Sequence, residues 1–133
     1  KYTIDITLYH LKYAHGGVVS NNISNLYEVC GQAHKSERWK YVSGQKFFNH
    51  ILERNETAIK SGKKPRIMKG TKENILKLRQ EALNQKEMKF HVVIVQPGMS
   101  KKNATTEMRI LLGNTYQYLH QVANIDLQII CSE

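Results

Sequence analysis

The sequence predicts an α/β fold, a mixed central β-sheet flanked by helices. Three observations lead there. Residues 2–13 alternate with the period of a strand, and FHVVIV at 90–95 is a nearly continuous apolar run of the kind that forms a central strand covered on both faces. The segments between and after these place apolar residues at helical spacing. The order reads strand, two or three helices, strand, helix, strand.

In the first strand, Tyr2, Ile4, Ile6, Leu8, His10 and Lys12 share one face; Thr3, Asp5, Thr7, Tyr9, Leu11 and Tyr13 share the other. The run is rich in β-branched and aromatic residues. Gly16-Gly17 ends it, and Ser20, Asn21 and Asn22 offer helix N-cap chemistry. Ile23, Leu26, Tyr27, Cys30 and Ala33 then form a helical stripe, with Glu28, Gln32 and Lys35 on a polar side. A second helix over 39–60 carries Trp39, Val42, Phe47, Phe48, Ile51 and Leu52, and stops at Ser61-Gly62-Lys63-Lys64-Pro65. The helical spacing assigns Trp39, Tyr41 and Phe47 to packing rather than to base stacking.

Arg66–Lys69 reads as a short extended piece, and Thr71 caps a third helix with Ile75, Leu76, Leu78 and Ala82 as its apolar side. Gln96-Pro97-Gly98 breaks the central strand. Ser100-Lys101-Lys102-Asn103 leads into a long helix whose stripe is Ala104, Met108, Leu111, Leu112, Thr115, Leu119 and Val122. Leu127–Cys131 closes the chain as a strand, completing a right-handed parallel crossover.

A chain of 133 residues is most simply one domain with a sizeable core. Without an initiator Met, and starting in mid-pattern, it reads as a piece of a longer protein. No apolar run reaches the roughly 20 residues that span a bilayer. Cys30 and Cys131 lie far apart on apolar elements and read as reduced thiols of a cytoplasmic protein.

Charge narrows the function. The net charge is +9, and residues 34–72 alone hold eleven basic side chains against Glu37, Glu53 and Glu56. A localised basic surface favours a polyanion, most often nucleic acid, because each neutralised phosphate releases condensed counterions. Its candidate contacts are Lys35, Arg38, Lys40, Lys63, Lys64, Arg66 and Lys69, with Lys101 and Lys102 after the central strand. No helix joins a basic face to a bulky aromatic one, which argues against a membrane surface. Phosphate-loop, dinucleotide-binding, nucleophile-elbow, H-E-x-x-H and EF-hand motifs are absent.

His10 and Lys12, two apart on a strand, converge on one spot. A hydrophobic strand ending in x-x-Lys and followed by a helix with an inward Gln or Lys resembles the PD-(D/E)XK nuclease superfamily. His10-Leu11-Lys12 is similar to its (D/E/Q)-x-K tripeptide, and Gln32 with Lys35 to its helical addition. SNLYEVCGQAHKSERW and FHVVIVQPGMSKK are similar to nuclease-like domains attached to bacterial DNA helicases and defence proteins. The resemblance implies a restriction-endonuclease-like fold and a metal-dependent DNA endonuclease using Mg²⁺ or Mn²⁺, with Lys12, His10 and Gln32 catalytic and His10 on the metal. Glu28, one turn before Gln32, offers that metal a carboxylate from the helix.

The pattern also departs from that family. His10 stands where a carboxylate or amide is usual, and imidazole suits Mn²⁺ better than Mg²⁺. Asp5 projects from the opposite face by strand parity. The alternative is therefore an inactive nuclease-like module that binds DNA or another domain, such as a helicase in the same chain. A domain docking an acidic protein is the third reading, and oligomeric state is left open.

Overall fold

The computed structural model describes residues 2–13, 16, 18–20, 22–84 and 86–133. Gly17 of the Gly16-Gly17 turn and Asn21 of the capping trio therefore lie outside the described residues. Its elements are β1 (Ile4–Leu11), α1 (Ile23–Ser36), a 3₁₀ turn (Glu37–Lys40), α2 (Gly44–Lys60), α3 (Lys72–Leu83), β2 (Met88–Ser100), α4 (Thr106–Ala123) and β3 (Asp126–Ser132). Side-chain chemistry sets the helix starts: Asn22, Ser43, Thr71 and Thr105 each accept a backbone N–H of the first turn. Thr71 and Asn74 complete a reciprocal capping box.

The strands form one three-stranded sheet in the order β1-β2-β3. The expected mixed sheet is in fact parallel. Ile4 N–H donates to Glu87 O and Lys12 N–H to Val95 O, so β1 and β2 advance together. His91 pairs Asp126 and Gln96 pairs Cys131 along β2 and β3, which also run parallel. The reason is the connections: each pair is joined by helical crossovers, which return the chain to the same sheet end.

Two element boundaries also differ from expectation. Gln96-Pro97-Gly98 does not end β2; the strand continues to Ser100 through a register shift between Gln96 and Ser100. A bulge accommodates the proline, which lacks a ladder N–H. The pattern predicted over 39–60 divides into the 3₁₀ turn and α2, with Ser43 capping the new start. Arg66–Lys69 joins no strand, and Tyr41 is exposed rather than buried.

Contacts group the chain into two compact units, Lys1–Ile4 with Tyr41–Lys89, and Asp5–Lys40 with Phe90–Glu133. In the first, α2 packs on α3, burying Phe47, Phe48, Leu52 and Ala58. Gly44 permits a close approach, since a Cβ there would meet Met88 Sδ at 2.5 Å and Ala82 Cβ at 2.6 Å. Arg79 Nη1 donates to Asn49 Oδ1 at 2.8 Å, adding a polar tie between the two helices.

In the second unit, α1 and α4 pack together and α4 packs on β3. Leu26, Val29, Ala33, Val92, Ile94, Met108, Leu119 and Ile125 make its core. One face of the sheet is covered, with Phe90, Val92 and Ile94 buried on β2. The other leaves Tyr9, Leu11 and Ile130 largely exposed, at 60%, 63% and 46%. Parallel sheets are ordinarily covered on both faces, so this open face is unusual.

Candidate functional site at the carboxyl ends of the strands

Strand parity holds in β1, with Asp5, Thr7, Tyr9 and Leu11 exposed and the alternate residues more covered. His10 and Lys12 thus meet α1, whose Glu28, Gln32 and Ser36, four residues apart, form one stripe. Asp5 lies on the open face, with Oδ1 3.8 Å from His91 Nε2. The residues singled out around the tripeptide do come together, but mostly as partners of one another.

Lys12 Nζ lies 2.6 Å from the Glu28 carboxylate, with both side chains partly exposed. His10 Nε2 lies 2.6 Å from Ser36 Oγ, and the Ser36 hydroxyl donates to Gln32 O at 3.1 Å. Because that hydroxyl proton is committed, Ser36 accepts from His10 Nε2–H, which leaves Nδ1 as the acceptor of a neutral ring. Burial pushes the His10 pKa below its ordinary 6.5, consistent with that neutral form. The Gln32 side chain itself is exposed.

These residues do not make a fitting seat for Mg²⁺ or Mn²⁺. The stripe offers one carboxylate and one imidazole. The carboxylate is engaged by the Lys12 ammonium, which would repel a divalent cation. Among the described residues no group of three or more His, Cys, Asp or Glu is placed to hold a metal.

One residue of this site was missed by sequence reasoning. Lys12 N–H donates to Val95 O at 3.4 Å, which in a parallel ladder sets Lys12 beside Gln96, and Gln96 pairs Cys131. Lys12, Gln96 and Cys131 form a row across the three strands on the covered face. Gln96 is 3% exposed, and its Oε1 has no hydrogen-bond partner among the described residues. Leaving a buried acceptor unpaired costs about 1–3 kcal/mol. The available signal was parity: an amide at the inward position that ends an apolar run.

The chain after β1 crosses the same end of the sheet, where Ser20 N–H donates to Gly98 O at 2.9 Å. Ser132 Oγ donates to Pro97 O at 2.7 Å, holding the irregular end of β2.

The basic candidates have separate situations. Lys40 Nζ donates to Ala123 O, capping the carbonyl end of α4. Arg38 stacks over Trp39, 4.7 Å from the ring centroid. Lys35 is exposed on the last turn of α1. Lys101 and Lys102 border a surface concavity of about 500 Å³ with Arg109 and Glu133. Cys30 is buried and its thiol pKa is pushed up by that burial, so it is an unreactive core group.

In the other unit, Lys63, Lys64, Arg66 and Lys69 are all exposed on the turn between α2 and α3. Asn55, 7% exposed, holds that turn: its Oδ1 accepts Arg66 N–H at 2.7 Å and Ile67 N–H at 3.2 Å. Lys63 N–H also donates to Ala58 O at 2.9 Å. Near the turn, Glu56 meets Lys72 at 2.8 Å and is held below the usual carboxylate range by that ammonium.

Comparison with family models, with curated proteins and with solved structures returns no match.

Proposed function

We propose that this protein binds the phosphate backbone of DNA through the turn between α2 and α3. One observation carries the reading. Residues 57–72 hold Lys60, Lys63, Lys64, Arg66, Lys69 and Lys72 with no acidic residue among them, on a turn whose backbone is secured by Asn55. A fixed turn gives up little conformational freedom on binding, so its charges act with less ordering cost. The resemblance to PD-(D/E)XK domains extends the proposal to a cytoplasmic, non-cleaving module of a helicase or defence protein.

Affinity for duplex DNA should fall steeply with salt. Replacing Lys63, Lys64, Arg66 and Lys69 together by Gln should lower the slope of log K against log salt by about 3–4, near 0.9 for each phosphate no longer neutralised. A wild-type slope near zero would reject the proposal.

A second reading, metal-dependent cleavage, rests on the resemblance to PD-(D/E)XK domains alone, because the Lys12–Glu28 pair leaves no fitting metal seat at this strand end. Nicking of supercoiled plasmid with Mg²⁺ or Mn²⁺, abolished by Lys12→Ala, would replace the binding reading with it.

A further inference from the structure

The row Lys12, Gln96 and Cys131 poses a question that the basic turn does not answer. Gln96 Oε1 is an acceptor without a donor among the described residues, and the neighbouring Lys12, His10 and Ser36 direct their contacts elsewhere. Lys12 holds Glu28, His10 Nε2–H is given to Ser36, and the Ser36 hydroxyl is given to Gln32 O. The carboxyl ends of parallel strands are where open α/β sheets receive ligands.

We propose that this row is a binding site for a single nucleotide, with the phosphate on Lys12 and a base N–H on Gln96 Oε1. The charge pattern excludes a bare divalent cation as occupant, because the Lys12 ammonium shares the row. It calls instead for one molecule carrying an anion and an N–H donor together. A nucleotide has both, and an amide reads a base edge with its acceptor and donor side by side. The phosphate takes Lys12 from Glu28, an exchange made easy because that pair is partly exposed. This site goes beyond the basic turn and uses none of its residues.

The test is isothermal titration of the full chain with the four nucleoside monophosphates and, as a separate arm, inorganic phosphate. At least one nucleoside monophosphate should bind saturably and more tightly than phosphate. Gln96→Leu and Lys12→Ala should each weaken it about tenfold or more. Without ligand, Gln96→Leu should raise Tm, because it removes a buried acceptor that nothing satisfies. Gln96→Met supplies the same readouts if the Leu variant does not fold.

Absence of nucleotide binding in the wild type overturns the site. So does equal binding of phosphate alone, or affinity unchanged by the Gln96 variants. A lower ligand-free Tm in both Gln96 variants would show the amide satisfied by ordered water, and also overturns it. Because the four-fold Gln variant of the basic turn leaves this row intact, failure here and failure of DNA binding are separable.

Discussion

Three cations of the sheet unit and four of the helical unit are handled in opposite ways. In the unit built on the sheet, these three are absorbed into structure: Lys12 meets Glu28, Lys40 caps α4, and Arg38 lies over Trp39. In the helical unit, Lys63, Lys64, Arg66 and Lys69 stand exposed on a turn whose backbone, not its charge, is what the protein holds. An excess of basic residues is therefore not itself a binding surface. What matters is whether the fold leaves the charges uncommitted and fixes their spacing.

Three measurements put that contrast at risk. The largest effect should come from Asn55→Ala, which strips the acceptor from two backbone N–H groups at once. It should lower the unfolding free energy in urea by about 1–3 kcal/mol and weaken DNA binding with the charges unchanged. Undiminished DNA affinity would show that turn geometry is irrelevant.

The next effect belongs to His10. Its folded pKa lies below the ordinary 6.5, so above that value the ring is neutral in both states and pH has no leverage. As pH falls through 6.5 the unfolded chain takes up a proton that the native ring refuses, and stability falls. Urea unfolding between pH 7.5 and 5 should show this decline, and His10→Gln should flatten it. An unaltered profile in the variant would assign the decline to another group.

The smallest effect should follow Glu28→Gln. A partly exposed ion pair contributes about 0–1 kcal/mol, so Tm should hardly move. Releasing Lys12 should nevertheless raise the affinity of the sheet unit for phosphate-bearing ligands, measured by titration. A large loss of Tm would make the pair a structural element rather than a reserve of charge.

Much of this was legible locally. Alternation in 2–13 foretold the covered positions of His10 and Lys12 and the exposed one of Asp5, because strand parity is a property of adjacent residues. Thr71 capped its helix as its side chain dictates. Direction was not legible: β1 runs parallel to β2 because of the whole helical crossover, which no residue of β1 encodes. The Ser36 partner of His10, 26 residues away, was hidden for the same reason. Gln96 was concealed by Pro97 and Gly98, which read as a strand end although a bulge carries the strand past them.

The open face of the sheet also governs colloidal behaviour. Tyr9, Leu11 and Ile130 present apolar area to water on a molecule that carries +9. Mutual repulsion keeps copies apart while the Debye length is long, and added electrolyte shortens its reach to about 3 Å at 1 M. If the basic turn binds DNA as proposed, the salt that strips it from a phosphate backbone therefore also removes the barrier between one exposed sheet and the next. Ionic strength would then act on this molecule as two controls at once, loosening the proposed hold on polyanions while bringing its own apolar faces within range.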